Sequence, residues 1–210
     1  MSRREINKEE KRHRLREAGL HVFLADGFTG ASIEHVVAET QVARGTFYLY
    51  FADKTALFRA VTDPLVDAVI EAVEGARDAL RACEDVESTF PIYVMLGARL
   101  AEVMMTQRDA LDLYFAESRA KGPGGEVLRA HVARIEGLTT EILEDAATRG
   151  VLRRHDVRAV SLAIVGAIER LGWAWVSGDP TLDVARLPEE VTRLFRAGLA
   201  PLIEEGGRVG

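Results

Sequence analysis

An all-α fold of about nine helices is predicted from three observations. Apolar residues recur at helical spacing along most of the chain, and no stretch sustains the two-residue alternation of a half-buried strand. Gly, Pro and capping residues interrupt the pattern at intervals of a helix length. Apolar residues fill 48% of the 210 positions, too many for a disordered chain and enough for a sizeable core.

The elements follow in order. Leu15, Ala18, Val22 and Phe23 form one stripe that stops at Asp26 and Gly27. Ser32 suits the N-cap of a short helix carrying Ile33, Val36 and Val37 on one face. A tight connection near Gln41 leads into a second short helix over 43–50. Asp53 caps a longer helix with Leu57, Val61, Leu65, Val69 and Val73, and Pro64 within it predicts a kink or break. Residues 83–88 read as an acidic connection, Pro91 as part of a first helical turn, and the Lys-Gly-Pro-Gly-Gly run at 121–125 as a turn. Leu128, Val132, Ile135, Leu138 and Ile142 mark a long helix ended by Gly150. Asp156 caps the next, striped by Val157, Val160, Ile164, Ile168, Leu171 and Trp175 and closed at Gly178 and Pro180. The last helix runs over about 188–204 with Leu187, Val191, Leu194, Phe195, Leu199 and Leu202. Two domains are expected, a trihelical module over 1–54 and a helical body over 55–210.

The net charge of −6 argues against a polyanionic partner until its distribution is considered. Residues 1–16 hold seven basic groups against three acidic ones, so the first sixteen positions carry +4 and the remainder −10. Such asymmetry suits a basic arm that meets an anion, although a solvated terminus has the same composition. The first residues contain no apolar core of a signal peptide. The longest apolar run, 162–168, is closed by Glu169 and Arg170, far short of a membrane span. With the single Cys83 unable to form an internal bridge, a cytoplasmic protein without a membrane partner is expected.

Chemistry-bearing clusters are absent. His13, His21, His35, His131 and His155 are dispersed, with no Cys or carboxylate at metal-ligand spacing, so no metal site and no cofactor are expected. Gly122–Gly125 lacks the strand and the Lys-Ser/Thr pair of a phosphate loop. An enzyme is therefore not expected.

The informative stretch is Phe28–Phe58. Two short helices joined by a few residues, behind a longer supporting helix, form a helix-turn-helix. Val42, Phe47 and Phe51 can face inward, which leaves Arg44, Thr46, Tyr48 and Tyr50 outward. Arg offers paired donors to a guanine edge or a phosphate, Thr a hydroxyl and a methyl, and Tyr a phenol that reaches a phosphate oxygen. Lys54, in the first turn of the next helix, opposes the helix dipole unless it holds a phosphate. Five large side chains in sequence at 47–51 are more often core than binding face, but they cannot all point one way. A protein–protein adaptor using the same tyrosine face remains an alternative, as does an all-α enzyme.

The run from Gln41 to Leu57 (QVARGTFYLYFADKTAL), preceded by Gly27-Phe28 and Ser32-Ile33, resembles the DNA-binding domain of the tetracycline-repressor (TetR) family over residues 8–60. The resemblance implies that Arg44, Gly45 and Thr46 meet base edges, that Tyr48, Tyr50 and Lys54 bind phosphates, and that Thr29 and Ser32 sit near the backbone. Two positions depart from the family pattern. Gln41 replaces a turn glycine, at about 1 kcal/mol if it is left-handed, and Ala43 replaces a Ser or Thr, forfeiting an N-cap of about 1 kcal/mol.

For the body, the resemblance implies a homodimer through the last two helices and a small-molecule effector that releases a repressor from a palindromic DNA operator. Independently, Ala159, Ala163, Gly166 and Ala167 give the 156–176 helix a small-residue face where another helix can approach closely, and Leu194, Phe195, Gly198 and Leu202 extend an apolar face on the last. Candidate pocket residues are Phe90, Tyr93, Met95, Met104, Tyr114, Phe115, Glu169 and Trp173, any of which can equally be core.

Overall fold

The computed structural model describes residues 3–200, apart from the Arg4 side chain. Among the described residues there are nine helices and no strand: α1 (Arg3–Gly30), α2 (Ile33–Thr40), α3 (Arg44–Phe47), α4 (Lys54–Leu80), α5 (Val86–Thr106), α6 (Arg108–Glu117), α7 (Pro123–Thr148), α8 (Val157–Val176) and α9 (Leu187–Leu199). Packing groups them into two compact units, neither continuous in sequence. One comprises the chain up to Ala68 with Thr106–Val132, and the other Val69–Met105 with the residues from Ala133 onward.

The first unit is built on aromatic contacts. Phe23, Phe28 and Phe58 meet with ring centroids 5.1–5.9 Å apart, two of the three pairs edge to face. Leu15, Ala18, Val22, Phe47, Phe51 and Leu57 complete a buried core, so the stripe on α1 faces inward as its spacing predicts. The helix is interrupted at Gly27, whose φ of 67° and ψ of 169° lie outside helical space. The 121–125 run is not wholly a turn. Pro123 opens α7, with no amide hydrogen to leave unpaired, and Gly124 and Gly125 are helical. A Cβ on Gly124 would stand 2.7 Å from the Phe28 ring, and one on Gly125 1.9 Å from the carbonyl oxygen of Ala120. These glycines serve close packing rather than a bend.

Pro64 lies inside α4 without ending it. Around it, Gln107 donates to the Pro64 carbonyl at 3.4 Å, and His131 Nε2 lies 3.0 Å from Asp63 Oδ1. His131 Nδ1 is buried with no protein partner, so a proton there would find no acceptor. Burial holds the imidazole below its ordinary value of 6.5, against the opposing pull of Asp63 and Asp67 and with help from Arg59. The folded unit then binds fewer protons than the unfolded chain, so this contribution is complete above 6.5 and is lost as pH falls through the lowered value. Urea midpoints should fall between roughly pH 7.5 and pH 5, and His131→Asn should remove part of that slope. Identical slopes in the two proteins would refute it.

The second unit has two buried clusters. Leu143, Ala146, Val151, Leu152 and Leu199 pack with Val157, Val160 and Ile164, while Val73, Leu80, Cys83 and Ile142 pack with Ile92, Tyr93 and Leu138. Gly150, at φ 77°, ends α7 as a left-handed residue, and Val151 then donates back to Ala146 at 3.0 Å. Asp156 caps α8 by accepting from the Ala159 amide. Pro91 lies beyond the first turn of α5, because the helix begins at Val86 behind the capping carboxylate of Asp85, which accepts from Ser88. By length and mean hydropathy (1.4) α8 could span a membrane. Glu169 and Arg170 beyond its middle would be costly in lipid, and Ser161 is fully buried in hydrogen bonds to Thr140 and the Glu136 carbonyl on α7.

Candidate nucleic-acid interface

α2 starts where the Ser32 hydroxyl accepts from the His35 amide at 3.2 Å, leaving Ser32 half-buried in its capping role. At its far end Arg14 donates to the Thr40 carbonyl at 3.1 Å, a cation placed on the negative end of a helix. The turn then passes through Gln41 at φ 56° and ψ 28°, the left-handed conformation expected of the usual glycine. Ala43 makes no side-chain cap. α3 is correspondingly brief. The helix expected over 43–50 is α-helical only at Arg44–Phe47, after which Leu49 and Tyr50 donate to carbonyls three residues back.

Phe47 and Phe51 are buried and anchor this segment, with rings 5.7 Å apart. Arg44 and Gly45 are exposed, Thr46 and Tyr50 half-buried, and Tyr48 is 46% exposed. Nothing would meet a Cβ at Gly45 within 4 Å, so that position of α3 is open. Arg44 pairs with Glu34 of α2 at 2.6 Å, and its guanidinium is held above its ordinary pKa by a hydrogen bond to Tyr48 and by the Glu34 charge. Leu49, not among the expected contacts, is 76% exposed. With Tyr50 it lines an open groove of about 610 Å³ against Glu5, Lys8, Glu9 and Arg12 of α1. Lys8 and Arg12 of the basic N-terminus are therefore helical and lie beside this segment, matched there by Glu5 and Glu9.

Lys54, expected at a phosphate, is engaged within its own unit. Its ammonium donates to the carbonyls of Phe28 (2.6 Å), Ala31 (2.7 Å) and, at longer range, Thr29 (3.4 Å), and lies 4.7 Å from the Phe28 ring centre. An ammonium has three protons. Its partners are carbonyls at the end of α1 and just beyond it, where helix ends leave acceptors unpaired. That the charge would oppose the α4 dipole holds, but the negative end of α1 offsets it. Thr29 itself is exposed.

The residues expected at a dimer interface lie on the surface of the second unit. Ala163, Gly166, Leu194 and Gly198 are exposed and Ala167 and Phe195 half-buried, while Leu202 lies outside the described residues. A Cβ on Gly166 or Gly198 would meet nothing within 4 Å. The candidate pocket residues are less coherent. Tyr114 and Phe115 fall in the first unit, stacked edge to face, and the others in the second. Phe90 lies under Arg196, Tyr93 is half-buried with its phenol pKa pushed up to about 12 by burial, and Met104 and Glu169 are half-buried. Met95 (60% exposed) and Trp173 (47%, beneath the Arg170 guanidinium) lie on the surface.

A supporting helix, a capped first helix and a short, exposed second one reached through a left-handed turn have the arrangement of a DNA-binding helix-turn-helix. Residues 15–61 match the family described as bacterial regulatory proteins, tetR family. Over those residues the chain is similar to the DNA-binding segment of TetR-type transcription regulators. It is 23% identical to the fatty acid metabolism regulator protein of Bacillus subtilis (strain 168) over 196 residues, covering 91% of this chain and 97% of that one. In fold it is similar to the fatty acid degradation regulator FadR from Bacillus halodurans (TM-score 0.68, 20% identity, 89% of this chain and 98% of the other). The FadR of Bacillus subtilis in complex with stearoyl-CoA is similar to the same extent (TM-score 0.68, 16% identity, the same coverage).

Proposed function

We propose that this regulator is a homodimeric repressor whose two α3 segments read the half-sites of a palindromic operator, and that a fatty-acyl thioester of coenzyme A releases it. The observation that carries the DNA contact is the exposed Arg44-Gly45 start of α3, with half-buried Thr46 next to it and the 46% exposed Tyr48 following. Thr46, Tyr48 and Tyr50 supply hydroxyls to bases and phosphates, Thr29 and Ser32 flank the backbone, and Lys8 and Arg12 add charge from α1. Lys54 serves by holding the α1 carbonyl end. The functional boundary is read near residue 54, with 55–210 carrying effector and dimer surfaces. The effector class is supported by the near full-length similarity to a fatty acid metabolism regulator and by the stearoyl-CoA complex of a protein of the same fold. Effector binding releases DNA only as far as it favours the non-binding state. Repression is preferred because occupying a promoter needs no further contact surface, and the cytoplasm is where operator and acyl thioester meet.

The test is to recover genomic fragments bound by the purified protein, then titrate one with and without stearoyl-CoA. A symmetric site, binding that weakens steeply with salt, and release by the thioester but not by free coenzyme A are expected. Fragments without a common palindrome would remove the operator reading. Release failing with intact binding would remove only the effector.

A further inference from the structure

Arg44 is engaged before any DNA arrives. Its Nη1 lies 2.6 Å from Glu34 Oε1, contributed by the first turn of α2. The pair is open to solvent, with side-chain exposures of 62% and 55%, so it contributes little to folding. It also sets a carboxylate on the face that meets a polyanion, which weakens general attraction to phosphate. A residue that contributes little to stability and opposes non-specific binding, yet fixes the one arginine at the start of the reading helix, has a third effect open to it.

We propose that Glu34 is a specificity-determining positioning residue: it holds the Arg44 guanidinium in one orientation, so that its remaining N–H groups are aimed at the O6 and N7 of a guanine. The inference rests on the DNA-binding reading above. A guanidinium carries five N–H donors in a planar fork. One edge engaged by a carboxylate leaves donors for a base, and the ordering of a long side chain is completed before binding. Glu34 also removes a net positive charge from this spot, so that affinity depends on the base edge more than on phosphate charge. The exposed Gly45 beside it keeps the approach clear.

The experiment is a selection from a randomised duplex library, with fluorescence titration of the selected and single-substituted duplexes, for wild type, Glu34→Gln, Arg44→Ala and the double variant. Glu34→Gln should bind non-selected duplex more tightly while losing about threefold to fivefold of its preference at one base pair per half-site. Arg44→Ala should flatten that same base pair, and adding Glu34→Gln to it should change the preference there no further. Preference unaltered by Glu34→Gln, or altered equally with Arg44 absent, overturns the role of Glu34 while leaving DNA binding standing. A wild-type protein that selects no sequence overturns both.

Discussion

Replacing Lys54 by Met is expected to lower the stability of the first unit by about 3 kcal/mol while changing the salt dependence of DNA binding by well under one charge. The side chain makes two short charge-assisted bonds, to Phe28 and Ala31, and one longer bond to Thr29. Hydrogen bonds to charged groups contribute about 1.5–3 kcal/mol each, and because Lys54 is only half-buried the lower figure applies to the two short ones. Met keeps most of the stem, so what is lost is the ammonium and not the packing beneath it. Urea unfolding followed by circular dichroism measures the first quantity, and titrations of a selected duplex across salt the second. A phosphate ligand would behave in the opposite way, with stability retained and the salt slope reduced by about 0.9. Lys54→Arg separates the two further. It preserves the charge but replaces a compact three-proton donor with a planar fork, and so should restore only part of the stability.

The Lys54 result also marks where residue patterns stop being informative. Features that depend on one residue's own conformational chemistry were legible: the Ser32 and Asp156 caps, the left-handed Gly150, and the left-handed Gln41 where a glycine is usual. The inward stripe of Leu15, Ala18, Val22 and Phe23 was legible too, because helical period alone sets it. The partners of Lys54 are backbone carbonyls 23–26 residues away, and a carbonyl has no residue signature. Glu34 and Arg44 stand ten positions apart across a turn, outside the three- and four-residue spacings that reveal pairs within one helix. The break between α5 and α6 at Gln107 carries neither Gly nor Pro. Gly124 and Gly125 misled for the converse reason: they were read for flexibility, whereas their missing side chains admit Phe28 and the Ala120 carbonyl.

Leu194→Asp is expected to convert the proposed dimer to monomer and to weaken operator binding more than about 100-fold. Leu194 is 70% exposed on α9, so the isolated protomer loses almost nothing by the change. In a two-fold interface the same patch meets itself, and each substitution acts twice. Burying a Leu is worth about 1.5–3 kcal/mol, so two lost copies remove roughly 3–6 kcal/mol even before two carboxylates are desolvated. That exceeds what the flanking surface can offset, because Gly166 and Gly198 contribute close approach and not area. The effect on DNA follows from geometry. One α3 offers only a few donors to one half-site, and a second becomes an intramolecular contact only when the body delivers it about 34 Å away. Sedimentation equilibrium should therefore show half the wild-type mass, with an unfolding midpoint close to wild type. A variant that sediments as wild type and holds the operator equally well would place the dimer surface elsewhere. A monomeric variant with undiminished affinity would instead mean that a single reading segment suffices, which the four α-helical residues of α3 make physically hard to sustain.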